Sequence, residues 1–426
     1  MSLKPANSWY EATARRDAPL PPLEGDVDAD VCVVGAGLSG CSTALHLAQR
    51  GYKVVVLEAE RIGFGASGRS GGQIIPGWAG GMDKIAAQLG PGDARRVWDF
   101  SIEGVELTRE LILRNQIDFE LAWGHVHAAL KPRQREELLG MQREQERHFG
   151  YRKLRFMERD ELESWIASKR YVAGLYDAGA GHLHPLRYTI GVGKAAIAAG
   201  ARICEHSAVT DIAYGPTVTV KTAKGRVRAK FVALCANVGH VDLSERLARK
   251  LIGVASYIVA TKPLGKARAK ALLRDNIAVA DLNWIIDYYC LSRDNRLLFG
   301  GRVSYSGIDP LGTERATRQR MLNVFPQLAD AEIEYAWGGM IDITMSRLPN
   351  FGRLEPNVYY LQGFSGHGMV ATTIAGRIAA EAIAGQAERF DIFARLKHHD
   401  FPGGKLFRRP TLVMAMTWFR MRDLMP

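Results

Sequence analysis

The stretch that most restricts the fold is "DADVCVVGAGLSGCSTALHLAQRGYKVVVLEAE", residues 28–60. An apolar strand over 31–34 runs into glycines at 35, 37 and 40. A helix over 38–49 follows, with Leu38, Cys41, Leu45 and Ala48 on one face, and then a second strand over 54–57 that ends at Glu58. This is a βαβ unit carrying G-x-G-x-x-G. Gly35 makes the tight turn, Gly37 lets a pyrophosphate approach the backbone, and Gly40 lets the helix pack close to the strand. The helix N-terminus faces the phosphate charge and Glu58 is placed to accept hydrogen bonds from a ribose. Strand, helix and acidic partner agree, so a dinucleotide site is expected; the motif alone leaves NAD and FAD open.

The next segment, "RIGFGASGRSGGQI" (residues 61–74), has glycine at 63, 65, 68, 71 and 72 and almost nothing that reads as core. A bare loop after the second strand suits a chain that runs beneath a flavin, where side chains would obstruct backbone amides. Ser67 and Ser70 are candidate phosphate or ribityl donors and Arg69 a charge partner; a mobile surface loop is the competing reading. A second glycine loop, "GFSGHG", contains Gly363, Gly366 and Gly368 and opens the last long helix, expected over 369–385. Its free amides and helix dipole would stabilise negative charge on a reduced flavin. His367 either packs within that loop or meets substrate or flavin directly.

At 426 residues and 47% hydrophobic content the chain has room for two domains with sizeable cores. Its net charge of +11 is spread along the sequence without basic tracts, which favours an anionic small molecule over nucleic acid. Five cysteines without CxxC spacing read as buried thiols in a reducing cytoplasm, with no metal site. Nothing reaches the length of a membrane-spanning helix. Residues 83–150 read as polar amphipathic helices, and 201–236 as a β-meander turning at Lys224 and Gly225 beside the nucleotide sheet. Segments within 253–264, 284–292 and 296–306 suggest an antiparallel sheet.

Taken together, the βαβ unit, "RIGFGASGRSGGQ", "GGRVSYSGIDP", "SRLPNFGR", "GFSGHG" and the tail "FPGGKLFRRP" resemble the D-amino-acid-oxidase-like family of FAD enzymes, within it the branch that oxidises γ-glutamylated polyamines. The likeness spans nearly the whole chain. It implies an α/β fold: a Rossmann-like FAD-binding domain with a second domain on an antiparallel sheet flanked by helices. Residues 1–82, 151–240 and 336–394 would form the FAD-binding domain, 83–150 and 241–335 the substrate domain, and 395–426 an arm packed on the body. Further FAD contacts implied by the resemblance fall on Leu38, Ser39, Ala59, Ala66, Gly68, Gly71 and Gly72. Others fall on Val209, Ala236, Trp337, Gly339 and Met369.

The implied chemistry is oxidation of a small-molecule amine, γ-glutamylputrescine or a close acylated polyamine, by hydride transfer to flavin with molecular oxygen as acceptor. Gln73, His367 and Tyr289 are the expected catalytic side chains. Trp78, Trp284 and Tyr288, with Tyr289, are candidates to line a channel for a methylene chain, although each suits ordinary core packing equally well. "WGGMIDITMSRLPNFG" lacks the cysteine that tethers flavin in the sarcosine-oxidase branch, so FAD is expected to be non-covalent. That branch also places an arginine just beyond the bare loop, where this chain reads Gln73, Ile74, Ile75, Pro76. An α-amino acid needs a cation near its reacting carbon, whereas γ-glutamylputrescine carries its carboxylate at the far end. The competing reading is a sarcosine- or pipecolate-type oxidase with Arg302 as carboxylate clamp. A reading of another class is a membrane- or partner-binding tail, with seven Lys/Arg against two Asp over 395–426.

Overall fold

Two sheets, one on each side of the bare loop, organise the chain, seen in a computed structural model that describes residues 7–118, 120–239, 243–304 and 312–402 (for Arg302 and Val303, the backbone only). In the first sheet β1 (Gly25–Val34) lies between β2 (Val54–Leu57) and β10 (Gly225–Leu234), all parallel, with β7 (Arg202–Cys204) outside β2. On the other side β17 (Val358–Gln362) joins β10 in parallel and β16 (Asn350–Glu355) closes the edge. β8 (Val209–Ala213) and β9 (Val218–Thr222) form the expected meander into β10. The Val31–Val34 and Val54–Leu57 runs are buried on both faces, as parallel strands covered by helices must be.

Close approach sets the layer above this sheet. A Cβ on Gly40 would stand 1.9 Å from the Gly35 carbonyl oxygen, and one on Gly376 would stand 2.5 Å from Ser42 Cβ. The helix Leu38–Ala48 therefore lies directly on β1, and the final long helix Gly368–Ile383 lies directly on Leu38–Ala48. Helices Pro185–Ala198 and Pro91–Arg114 complete the layer. On the outer part of the β1/β10 pair, Asp26, Asp28 and Asp30 face Arg226, Arg228 and Lys230 in ion pairs that repeat the strand register.

The second sheet contains β15 (Ile333–Ile343), β11 (Ile252–Thr261), β14 (Leu297–Ser304), β13 (Tyr288–Leu291), β12 (Ala278–Asp281), β4 (Ala122–Ala129), β6 (Ala173–His182) and β3 (Gln73–Ile74), in that order, with β5 (Leu154–Glu158) beside β6. It is antiparallel except where β4 runs parallel to β12. One face packs against helix Thr313–Val324 through Val279, Tyr289, Phe299, Met321 and Val324. The other face turns to the nucleotide layer, where Ala278, Cys290, Leu298 and Trp337 meet Leu186 and the N-terminal Trp9 and Tyr10.

Three expectations change. Residues 83–150 are not helical throughout, because β4 occupies 122–129 within them. Residues 154–182 and 333–343 pair in the second sheet, outside the segments expected for it, since β6 offers one edge to β4 and the other to β5 and β3. Helix Pro91–Arg114, expected with the substrate domain, packs on Gly368–Ile383, where a Cβ on Gly104 would be 2.7 Å from Val370. All five cysteines are free and buried. Among the described residues no helix is long and apolar enough to cross a membrane. Of the tail, residues 403–426 lie outside the described residues.

Two glycine substitutions separate close approach from helix propensity. Gly40→Ala should destabilise the protein by about 3 kcal/mol or more, because a backbone carbonyl blocks the new methyl group. Gly140→Ala, on the helix Pro132–Phe149 with open space around it, should stabilise by about 0.5–1 kcal/mol. Urea unfolding of both variants checks the pair; equal effects would contradict the packing described.

Candidate active site

Gly35 adopts φ +100°, and a Cβ there would collide with the Cys235 carbonyl oxygen at 2.8 Å and Ala236 Cα at 3.2 Å. The chain turns at this point and delivers Gly37 as the cap of Leu38–Ala48, with no side chain of its own closing the helix end. Ser67 supplies the partner instead, its Oγ accepting from Leu38 N at 2.9 Å. Glu58, at the end of β2, accepts from Ala36 N (2.7 Å) and Glu60 N (2.9 Å). Burial raises its carboxyl pKa and these amides counter the rise. The amide of Ser207 closes onto the Glu58 carbonyl at 2.7 Å, which brings the start of the Val209 strand to this end of the sheet. Ser39 is buried and Ala59 is exposed.

The bare loop is pinned at its start by Glu205, which accepts from Ile62 N (2.8 Å) and Arg61 Nε (2.7 Å). Beyond that point, protein packing accounts for several glycines. A Cβ on Gly68 would meet the Gly63 carbonyl at 2.2 Å and Leu186 at 2.7 Å. One on Gly71 would meet the Tyr288 ring at 2.8 Å, and one on Gly72 the Leu183 carbonyl at 2.0 Å. Arg69, expected as a charge partner for the cofactor, donates to the Phe64 carbonyl (2.7 Å) and the Gly338 carbonyl (3.3 Å). Its own carbonyl accepts from Trp337 Nε1 at 3.0 Å, and Gly339 leaves room for its Cβ. Ala66 to Gly68 form a single 3-10 turn.

The second glycine loop meets the end of the first. Ser70 Oγ lies 3.5 Å from Met369 Sδ, and His367 Nε2 lies 3.1 Å from the Ile75 carbonyl. Gly363 and Gly366 have φ +77° and +86°. Asp342, which sequence reading did not single out, holds this loop: its Oδ2 accepts from Gly363 N at 2.5 Å, and Ser365 N bonds its carbonyl. Burial pushes the Asp342 carboxyl up to about 7 despite the amides of Gly363 and Phe364. His367 caps Gly368–Ile383 through its backbone, leaving the helix end without a side-chain partner. The Gly368 helix end, which no side chain caps, the Leu38 helix end closed by Ser67, the Glu58 carboxyl and the glycine cradle fit a dinucleotide carrying a flavin.

Four side chains at these loops stay partly open. Gln73, Tyr288 and His367 keep part of their surface open, and so does His127 on β4. Burial nevertheless pulls His127 down to about 4, lowers His367, and pushes Tyr288 up to about 12. Partial exposure together with so strong an effect of burial marks side chains that border a recess in the protein, the cleft referred to below. Gln73 Nε2 donates to the Val279 carbonyl at 3.1 Å, and Tyr288 Oη lies 3.2 Å from Ser256 Oγ.

Three expected residues stand elsewhere. Tyr289 points to the opposite face from Tyr288, as alternation along β13 requires; it stacks on Phe299 and donates to the Tyr171 hydroxyl at 3.0 Å. Trp78 lies in the nucleotide-layer core against Phe393, donating to the Val97 carbonyl. Trp284 is 39% exposed beneath Arg347. Arg302 sits opposite Tyr257 on β14, and its side chain lies outside the described residues. His127 was missed because 83–150 read as helical, although the alternation in "WGHVHAA" signals a strand with two histidines on one face.

Residues 30–382 match the family described as FAD dependent oxidoreductase (DAO). The chain is 42% identical over 418 residues to γ-glutamylputrescine oxidoreductase of Escherichia coli, covering 98% of each protein. It is 40% identical over 422 residues to the probable oxidoreductase OrdL of Haemophilus influenzae, covering 98% of this chain and 97% of that one. Among solved structures, glycine oxidase from Geobacillus kaustophilus superposes with a TM-score of 0.74 at 21% identity, covering 88% of this chain and 100% of that one.

Asp342 gives the site a pH signature. In the fold its carboxyl stays protonated up to about pH 7, whereas in the unfolded chain it ionises near its ordinary value of 3.8. Its contribution to stability is therefore complete below about pH 4 and is lost as pH rises through 7. Urea unfolding of cofactor-free protein should show the parent losing up to about 4 kcal/mol relative to Asp342→Asn between pH 4 and pH 8. A difference independent of pH would contradict a buried neutral carboxyl.

Proposed function

Because the chain belongs to the FAD dependent oxidoreductase (DAO) family, we propose that it oxidises the primary amine of γ-glutamylputrescine, or of a close acylated polyamine. The observation that carries this reading is the cleft, whose lining side chains among the described residues carry no charge. Gln73, His127, Tyr288 and His367 line it, burial holds both imidazoles neutral, and the Arg69 guanidinium is turned onto backbone carbonyls. Such a lining suits an amine whose carboxylate lies far from the reacting carbon. The E. coli relative carries that substrate in its name, and the likeness to it runs nearly end to end.

The FAD-binding residues in this reading are the Gly35–Gly40 turn, Glu58, the loop from Ala66 to Gln73, and Gly363 to Met369. The chemistry that FAD supplies when bound is a two-electron oxidation, in which the carbon bearing the amine gives up a hydride and the electrons pass to oxygen. The balance is amine, O2 and water in; aldehyde, ammonia and hydrogen peroxide out, through an imine that water hydrolyses. Gln73 and His367 face the reacting carbon and fix its position, and Tyr288 forms the wall opposite Gly71. The amides at the start of Gly368–Ile383 stabilise the negative charge that develops during oxidation. Five free, buried cysteines suit work in a reducing cytoplasm.

Two measurements test the reading. Acid precipitation should leave the FAD in the supernatant, since residues 337–352 contain no cysteine to tether it; flavin carried down with the polypeptide would contradict a non-covalent site. In a peroxide-release assay, kcat/KM for γ-glutamylputrescine should exceed that for free putrescine by about ten- to a thousandfold, as remote contacts position the reacting carbon. Equal values would overturn the substrate assignment. A strong preference for sarcosine or pipecolate would replace it with the amino-acid reading, in which Arg302 clamps the carboxylate.

A further inference from the structure

The strand β4 carries two histidines, His125 and His127, separated by Val126, which belongs to the opposite core. By register, His127 stands beside Ala280 and Ala280 beside Tyr288, while His125 stands beside Ala278. Both histidines thus share the face that turns to the nucleotide layer. Their rings sit edge to face with centroids 4.5 Å apart. His367 and His182 lie near enough to act on the charge of His125. The strand is built to aim them: its register shifts between Trp123 and His125, and Gly124 adopts φ +107°, the signature of a bulge that redirects the following side chain.

His125 is the anomaly. It is fully buried, and neither ring nitrogen has a hydrogen-bond partner. A buried imidazole without a protein partner is costly and calls for an explanation in a ligand or a functional neighbour. His127, directly in front of it, keeps open surface on the cleft.

We propose that His127, backed by His125, receives the amine nitrogen of the substrate, a role that rests on the amine-oxidase reading above. The ring nitrogen of His127 that accepts a hydrogen bond takes an N–H of the substrate. His125 is a positioning residue that fixes the tilt of the His127 ring. Among the described residues the titratable groups around this point are His125, His182, His367 and Tyr288, and burial disfavours the charged form of each. An ammonium ion entering here would lose its water without gaining a counter-charge, so the site takes the free base. That form keeps the nitrogen lone pair that drives hydride loss from the adjacent carbon.

The test is anaerobic flavin reduction by the FAD-loaded enzyme, followed by stopped flow with γ-glutamylputrescine. His127→Phe should raise the apparent dissociation constant of the amine at least tenfold with the flavin spectrum unchanged, and His127→Gln, which retains an acceptor, should recover most of that loss. His127→Phe reducing flavin as readily as the parent would overturn the proposal. A second measurement uses the parent alone, so that a variant unable to take up FAD does not decide the matter. The probe is N-γ-glutamyl-4-methylpentane-1,4-diamine, which has no hydrogen on the reacting carbon. Its affinity, read from the flavin spectrum, should rise about tenfold per pH unit between pH 7 and 9, below the amine's own pKa near 10.4; affinity independent of pH would equally overturn it. If sarcosine reduces the parent and γ-glutamylputrescine does not, the substrate assignment fails while the His127 comparison is made with sarcosine. A parent reduced by neither overturns both.

Discussion

The candidate site is arranged about one seam: the loop from Gly63 to Gln73, pressed between the two sheets. It leaves the nucleotide sheet at β2 and enters the second sheet at β3. On one side Gly68 meets Leu186 and on the other Gly71 meets Tyr288, so side chains at these positions would push the layers apart. The Arg69 guanidinium and carbonyl bond in opposite senses to Gly338 and Trp337, which fastens the loop to β15. Backbone amides held this way are fixed before any ligand arrives, and pre-set dipoles are what a reaction that shifts charge can use without reorganisation.

The nucleotide half was legible because its constraints are local. Gly35, Gly37, Gly40 and Glu58 lie within a single βαβ unit, and their spacing is dictated by one turn, one close approach and one acceptor. "GFSGHG" was legible for the same reason. The loop glycines were legible as a pattern but only in part as a cause, since the neighbours that demand Gly71 and Gly72 are Tyr288 and Leu183, remote in sequence. Long-range pairing also hid the second sheet's extent: nothing near β6 announces that it joins β4, with β5 on its other edge.

The substrate side was least legible. Tyr288 and Tyr289 are indistinguishable as adjacent aromatics until strand alternation assigns one to the cleft and the other to the core. Trp78 and Trp284 show the limit of reading aromatic residues as channel linings, for one packs against Phe393 and the other lies at the surface. The histidines of β4 carried a usable period-two signal, which the surrounding charged helices obscured. Asp342 gave no local sign at all; its role as acceptor for the Gly363 amide depends on two loops meeting.

Amide hydrogen exchange, compared between cofactor-free and FAD-loaded protein, tests most directly whether the two glycine turns and the seam form one site. The account predicts that amides within 35–40, 63–73 and 363–369 slow together on loading, since the three segments share one ligand. Protection confined to 35–40, with 63–73 and 363–369 exchanging as before, would contradict it.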